Sequence, residues 1–195
     1  VSSYSAAANN YPTVIANNMV STYNISTSYP QYGFYFTSMS RRYVYYNSCN
    51  IAGPLTTSTS APYGVYFVPG TTSIMNFFKN NCIVNTTGGY VMYMYYHNTN
   101  IGGWNYNNFY GSGTTAPYYV YNGSAYTTFA AWKTASGSDS NSINVNPNFI
   151  SATNLHTVSP SLNNAGTPVN TGTAAITTDF DGDVRSSSTP DIGAD

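Results

Sequence analysis

The sequence predicts an all-β fold in which the chain winds as a parallel β-helix, a solenoid of about four to five coils with an irregular C-terminal cap. Two short β-prone segments recur along its 195 residues at intervals of roughly 25 to 31 residues, a range typical of solenoid repeats. Gly, Pro, Asn and Ser separate these segments, and helical periodicity is hardly visible. Because a short strand cannot bury its apolar side alone, stacking equivalent strands would give one continuous core.

The first recurring segment alternates apolar and tyrosine side chains, and its copies lie at 32–36, 63–67, 89–93 and 118–121. Successive side chains of a strand point to opposite faces, so we expect an inward row and an outward row. The residues predicted to point inward are Phe34, Phe36, Val65 and Phe67. The residues predicted to form an outward ladder are Tyr35 and Tyr66.

The second recurring segment begins with asparagine, and its copies lie at 17–20, 47–51, 80–84 and 107–110. Asparagine tolerates a left-handed backbone, and stacked copies can form side-chain ladders. Cys49 and Cys82 fall at equivalent places in two copies. Stacked strands lie about 4.8 Å apart, which allows either a disulfide or two stacked buried thiols.

The repeat pattern changes near residue 122. We expect β-helix coils over residues 1–122, and the last coil with a C-terminal capping segment of the same domain over 123–195. Phe129 and Trp132 are spaced as in a short helix. Four later prolines predict loops and short strands that cover the exposed edge of the last coil.

Composition excludes several classes of function. Charged residues make up 6% of the chain and the formal net charge is -1, so five Lys and Arg residues cannot form the basic surface that nucleic acid requires. No apolar run approaches the roughly 20 residues that span a bilayer, so no membrane insertion is predicted. The first ten residues lack the features of a signal peptide, and we expect the chain to be part of a larger polypeptide.

Acidic residues are confined to one end of the chain. There is no Glu, and the first Asp is Asp139. Glycosidases need two carboxyl groups at the scissile bond, so residues 1–138 predict a non-catalytic surface. Arg41 and Arg42 are expected in a solvated turn, and His97 and His156 in capping or surface positions, because none has an acidic neighbour in sequence.

The acidic cluster TDFDGD allows two interpretations. One is a calcium site formed by Asp179, Asp181 and Asp183, because alternating carboxylates around a Gly turn resemble calcium loops. The alternative is a turn held by hydrogen bonds to an Asp side chain, with Arg185 pairing one carboxylate. Apart from this calcium, the sequence predicts no cofactor.

Several C-terminal motifs resemble those of a known family. They are YTTFAAWKTASGSDSNSI (126–143), NPNF (146–149), SPSLNNAG (159–166) and DFDGDVRSSSTPDIGAD (179–195). They resemble the closing segment of bacterial right-handed parallel β-helix proteins of the choice-of-anchor Q type, although Asp195 is not followed by the Glu of that pattern. The resemblance implies export and surface display, with type IX secretion or anchoring machinery as a partner. It implies no activity.

The sequence as a whole favours a structural or adhesive module of a secreted or surface protein. Its ligands would be glycans or cell-surface proteins, bound on an aromatic platform of Tyr35, Tyr66, Tyr119 and Trp104, with Tyr95 a further candidate. In the alternative explanation, these tyrosines only stack on one another across strands. The alternative function is a fragment of a β-helix polysaccharide lyase or glycosidase whose active site lies outside this chain.

Overall fold

The computed structural model describes residues 13–23, 30–39, 42–53, 61–69, 77–95, 103–113, 118–172 and 174–195. The strands in these ranges are β1 (Thr13–Ala16), β2 (Met19–Thr22), β3 (Tyr32–Met39), β4 (Arg42–Tyr45), β5 (Ser48–Ile51), β6 (Tyr63–Pro69), β7 (Phe77–Lys79), β8 (Cys82–Asn85), β9 (Tyr90–Met94), β10 (Gly103–Asn105), β11 (Asn108–Gly111), β12 (Tyr119–Tyr121) and β13 (Ser124–Tyr126). The helix is α1 (Phe129–Ser136). Arg41 and His97 lie outside the described residues. No helix in the described ranges has the length and apolar character needed to cross a lipid bilayer.

Strands β1 to β12 form four consecutive triplets, and each strand of a triplet joins a different parallel sheet. The first sheet has the order β1-β4-β7-β10, the second β2-β5-β8-β11 and the third β3-β6-β9-β12. Strand β13 then pairs antiparallel with β12. The predicted all-β chain with parallel pairing is confirmed, and the two recurring segments supply the second and third sheets.

The predicted inward and outward rows of the third sheet are both present. Four residues are buried in the main hydrophobic core as expected: Phe34, Phe36, Val65 and Phe67. On the outward side, Tyr35 lies beside Tyr66 in the register of β3 and β6, and their ring centroids are 5.2 Å apart. The core therefore lies on the inner side of this sheet.

A two-residue corner joins the first and second strands of every triplet. Its first residue has a left-handed backbone, with φ between 51° and 58°, at Asn17, Tyr46, Asn80 and Tyr106. Its second residue is always asparagine, and the four copies are Asn18, Asn47, Asn81 and Asn107. We call these four residues the asparagine ladder.

Each of the first three amides of the ladder donates a hydrogen bond to the side-chain oxygen of the next. The distances are 2.8 Å from Asn18 to Asn47, 2.9 Å from Asn47 to Asn81 and 3.1 Å from Asn81 to Asn107. The backbone N–H of each donor residue points at the same oxygen, at 3.0 to 3.1 Å. The buried amides also donate to carbonyls of β1, β4 and β7. The ladder thus ties the first sheet to the second at every level.

The ladder ends on a buried carboxylate. The Asn107 amide donates to Asp139 Oδ1 at 3.0 Å, and its backbone N–H donates to Ser142 Oγ at 2.8 Å. Asp139 also accepts from the Ser142 hydroxyl at 2.6 Å and from the Trp132 indole at 3.3 Å. Burial raises the pKa of the Asp139 carboxyl, against the opposing effect of these hydrogen bonds. The first acidic residue of the sequence is therefore an interior acceptor.

The predicted helix is confirmed as α1, which covers the last strand of the third sheet. The Thr128 hydroxyl accepts from the first turn at 3.2 Å, and Gly137, with φ of 63°, ends the helix. Trp132 is fully buried, and its ring lies 6.1 Å from that of Tyr119 and 5.7 Å from that of Tyr121. The helix thereby closes the main core.

Residues 146–195 fold back along the chain and pack on the outer sides of the second and first sheets, so the prediction that this segment covers the edge of the last strands is wrong. Leu162 and Ile192 pack on Cys82 and Val84 of β8, and the Ala194 backbone N–H donates to the Ser48 hydroxyl of β5 at 3.0 Å. The physical reason is that β8 carries apolar side chains on both faces. Its outward face needs a cover, while α1 already covers the last strand.

Arg42 is buried, so its predicted place in a solvated turn is wrong. It begins β4 and pairs in register with Thr13 of β1. Its guanidinium donates to the Thr13 hydroxyl at 3.0 Å. The side chain is buried because it lies along the neighbouring strand.

Cys49 and Cys82 are buried free thiols, so of the two alternatives the disulfide is wrong. In the register of β5 and β8, Cys49 lies beside Ile83, and Cys82 lies beside Ser48. This offset of one residue places the thiols on opposite faces of the sheet. Cys49 faces the main core and Cys82 faces Leu162.

Substitution of Asn81 by Ala should lower the free energy of unfolding by at least about 2 kcal/mol, because it leaves buried polar groups of neighbouring residues without partners. Urea unfolding followed by circular dichroism measures the change. Asn18→Ala removes the exposed end of the same ladder and should cost less than about 1 kcal/mol. Equal losses in the two variants would show that burial of the ladder is not what stabilises it.

Burial raises the pKa of the Cys82 thiol to about 12 and also raises that of Cys49. Because the thiolate is the reactive form, neither cysteine of the folded chain should react with Ellman's reagent near pH 8. Two thiols per chain should react after unfolding in guanidinium. Rapid reaction of the folded chain would contradict the burial of both side chains.

Candidate functional site

The outward side of the third sheet carries six tyrosines in two columns. The first column has centroid spacings of 5.1 and 5.2 Å and consists of Tyr32, Tyr63 and Tyr90. The second has spacings of 5.2 and 4.9 Å and consists of Tyr35, Tyr66 and Tyr93. Rings stack within a column and meet edge to face between columns, at interplanar angles of 66° to 88°. We call these six residues the tyrosine face.

Close backbone packing at a glycine explains how β3 brings tyrosines of both columns to one side of the sheet. Strict alternation would put Tyr32 and Tyr35 on opposite sides, because they are three positions apart. At Gly33, however, a Cβ atom would lie 2.1 Å from the Cys49 sulfur and 2.6 Å from the Gly64 carbonyl oxygen. Only glycine allows this close approach. The local departure from alternation turns Tyr32 outward, where its ring meets Tyr35 at 4.8 Å.

Two residues predicted from the sequence belong to the tyrosine face, and a third adjoins it. Tyr35 is 43% exposed, and Tyr66 is half-buried between its neighbours in the column. The exposed ring of Tyr95 stacks on Tyr93 at 6.3 Å. The other four members were missed because the alternation argument considered one tyrosine per strand. The sequence motif that could have identified them is Tyr-x-x-Tyr, which occurs in β3, β6 and β9.

Trp104 and Tyr119 do not belong to this face, and their predicted surface positions are wrong. Trp104 is 3% exposed, and its ring packs 5.4 Å from Phe67 and 4.9 Å from Phe78. Tyr119 is 1% exposed because β12 pairs it with the inward residue Met92. Both aromatic side chains therefore contribute to the core.

The tyrosine face is uncharged. Strands β3, β6 and β9 contain no Asp, Glu, Lys or Arg. Burial and neighbouring phenols raise the pKa of Tyr63 to about 12, and burial also raises the pKa values of Tyr32, Tyr66 and Tyr93. The face therefore offers aromatic rings and neutral phenols at physiological pH.

The predicted turn at the acidic cluster is present. Asp179 Oδ1 accepts from the backbone N–H groups of Asp181 and Asp183, both at 2.9 Å. Arg185 does not pair with a carboxylate in the described part of the chain: it donates to the carbonyls of Gly193 and Ala194 at 3.2 and 2.8 Å. That part of the prediction is wrong, because backbone oxygens satisfy the guanidinium. The calcium site at Asp179, Asp181 and Asp183 stays a prediction.

His156 has an acidic partner that the sequence does not reveal. Its Nε2 atom lies 2.8 Å from Asp181 Oδ2, and Asp195 completes a group whose ligand atoms all lie within 4.8 Å of one another. His156 and Asp181 are 25 positions apart, so only the folding back of the C-terminal segment brings them together.

Three carboxylates also meet at a cavity of about 210 Å³ in the C-terminal segment, whose lining includes Asp179, Arg185, Asp191 and Asp195. Two of these carboxylates already accept hydrogen bonds from backbone N–H groups. Asp179 is held in its turn as described, and Asp191 accepts from the Asn164 N–H at 2.7 Å. These two carboxylates hold loops in place, which gives them a structural role.

No protein-family model matches this sequence, and no curated protein or solved structure matches it either. The function is therefore argued from the chain's own geometry.

The stability of the folded chain should fall as the pH rises from 10 to about 12. Because the pKa of Tyr63 in the folded state is raised from 10.0 to about 12, its contribution to stability is fully present below pH 10 and is lost as the pH rises through that window. Urea unfolding at a series of pH values measures the loss, and Tyr63→Phe should make it shallower. An unchanged slope in this variant would contradict the raised pKa.

Proposed function

We propose that this chain is a non-catalytic binding module of an exported protein, in which the tyrosine face of a right-handed parallel β-helix binds neutral polysaccharides. The observation that carries the proposal is the pair of tyrosine columns, repeated with spacings of 4.9 to 5.2 Å on an uncharged sheet. Aromatic side chains with a polar end suit surfaces that are partly apolar and partly hydrogen-bonding, as sugars are.

The β-helix is supported by the arrangement of the triplets. Each triplet supplies one strand to each of three parallel sheets, in the same order four times. A chain that visits three sheets in turn and returns beside its previous strand describes one coil per triplet. Right-handedness follows from the strong preference of parallel crossover connections for that hand. The terminal helix over the last core layer is what a capped solenoid requires.

The choice of a neutral polysaccharide rests on charge and periodicity. The tyrosine face carries no ion that could select an acidic or basic ligand. A linear polysaccharide repeats its sugar rings along one axis, and the columns repeat phenol rings along one axis. Contacts to several rings at once add up, so a weak contact per tyrosine is sufficient. Because stacked columns hold the rings rigidly, binding would cost little side-chain entropy.

The non-catalytic part of the proposal rests on the placement of acids. Residues 1–138 contain no carboxylate side chain, so the tyrosine face has no general acid, nucleophile or acidic calcium ligand from its own strands. Asp139 is buried under three hydrogen bonds. Export, surface display and membership of a larger, anchored polypeptide are included on the strength of the C-terminal motifs.

Affinity electrophoresis in gels that contain soluble xylan, mannan or β-glucan tests the proposal. At least one of these neutral polysaccharides should retard the chain, and Tyr35→Ala should weaken that binding about tenfold, equivalent to roughly 1.4 kcal/mol for one aromatic contact. Tyr35 is the most suitable site because its side chain is 43% exposed. Circular dichroism of the variant shows that it is folded.

Tyr23→Ala is the matched control, because Tyr23 is 56% exposed and lies outside the tyrosine face. Its affinity should stay within about twofold of the parent chain. Absence of retardation by all three polysaccharides, or equal weakening in both variants, would refute the proposed ligand. Release of new reducing ends during incubation would refute the non-catalytic role and favour the carbohydrate-active enzyme.

A further inference from the structure

His156, Asp181 and Asp195 form a group that neither the fold nor the tyrosine face requires. Their ligand atoms lie within 4.8 Å of one another, and the side chains of His156 and Asp181 are 31% and 46% exposed. The group is thus open to small ions from solvent. It lies in the C-terminal segment, away from the third sheet.

The hydrogen bonds of His156 fix the orientation of its imidazole ring. Nδ1 lies 2.5 Å from the side-chain oxygen of Asn154, and the backbone N–H of His156 donates to that same oxygen at 3.3 Å. The second contact identifies the atom as the amide oxygen, an acceptor, so Nδ1 must carry a proton. Nε2 therefore faces the Asp181 carboxylate, whose Oδ2 atom lies 2.8 Å away.

A metal ion bound by both Nε2 and the carboxylate would use the ring nitrogen that Asn154 leaves free. Metal-binding histidines characteristically donate the other ring N–H to an oxygen acceptor, as Nδ1 does here to Asn154. With Asp195, the group supplies one neutral nitrogen and two carboxylates, whose combined charge matches a divalent ion. We propose that His156, Asp181 and Asp195 bind a divalent transition metal of the zinc class.

The backbone around the three ligands is already fixed. The Phe180 N–H donates to the Ala194 carbonyl at 2.8 Å, so the residues that precede Asp181 and Asp195 are joined. Arg185 holds the Ala194 carbonyl as well. On the other side, the Ile150 N–H donates to the His156 carbonyl at 3.1 Å. Small side-chain movements are therefore enough to bring the ligand atoms to zinc distances of about 2.0 to 2.2 Å.

The imidazole selects zinc over calcium, because calcium prefers oxygen ligands alone and takes six to eight of them. Three protein ligands leave at least one position for water, and the site is exposed, so we expect micromolar rather than nanomolar affinity. The metal would join the loop of residues 154–156 to the turn of residues 179–183.

Isothermal titration of the EDTA-treated and dialysed chain with ZnCl₂ tests the site. One ion per chain should bind, and His156→Gln and Asp181→Asn should each weaken binding about tenfold or more. Asp183→Asn is the matched control, because Asp183 lies in the same turn but outside the group, and it should change the Kd less than about twofold. Co²⁺ should give visible absorption bands that are lost in His156→Gln.

Three results would overturn the site. They are a zinc Kd weaker than about 1 mM, zinc binding that His156→Gln leaves unchanged, and a site that binds CaCl₂ but not zinc. Calcium binding that is weakened by Asp183→Asn and not by His156→Gln would instead establish the predicted calcium loop. A protonated histidine paired with Asp181 in the absence of metal would account for the first result.

Discussion

The asparagine ladder constrains the alignment of the triplets more tightly than apolar packing does. Hydrophobic contacts are non-directional and can survive a shift of two residues, which keeps each side chain on its face. Each ladder amide, in contrast, must meet one oxygen in the next triplet and carbonyls on either side. Asn47, Asn81 and Asn107 are fully buried, so a shift of one residue would leave several polar groups without partners. Because unsatisfied buried groups are costly, the corners select one register for the first two sheets.

That register reaches the tyrosine face through the glycines of the third sheet. With β5 fixed by the ladder, the Cys49 sulfur occupies the space beside Gly33. This close approach leaves no room for a side chain at Gly33, and the preceding Tyr32 is turned outward. Gly64 repeats the arrangement one triplet later, against Ile83 and the Val91 carbonyl. In β3 and β6 the outward turn of the first tyrosine thus follows from interior contacts, whereas β9 has the buried Val91 at the equivalent position.

The parts of this fold that were predictable from sequence are those in which a local pattern determines the environment. Alternation placed Phe34 inward and Tyr35 outward, and the spacing of Phe129 and Trp132 indicated the helix. The strands of the first sheet have three or four residues and no common motif, so only their pairing with one another in the structure reveals them. Cys49 and Cys82 were misjudged by one residue, which in a strand is enough to exchange its faces.

The predicted site residues show the same distinction between local sequence patterns and long-range contacts. Tyr35 and Tyr66 repeat within equivalent strands, and a repeat is readable in one sequence. Trp104 and Tyr119 show the limit of reading repeats, because an aromatic residue in a strand can lie either in the core or on the surface. The group at His156 depends on a return of the chain that no local pattern encodes.

Most acidic residues of this chain lie apart from the neutral tyrosine face. Five of its six acidic residues lie at or after Asp179, in the segment that packs on the second sheet, while the tyrosine columns occupy the third. A carboxylate beside the columns would attract cations and hold water where an aromatic face must lose it to bind a sugar ring. Placing five of the six carboxylates in the returning segment keeps them off the tyrosine face, and the same segment can then hold a cation without altering that face.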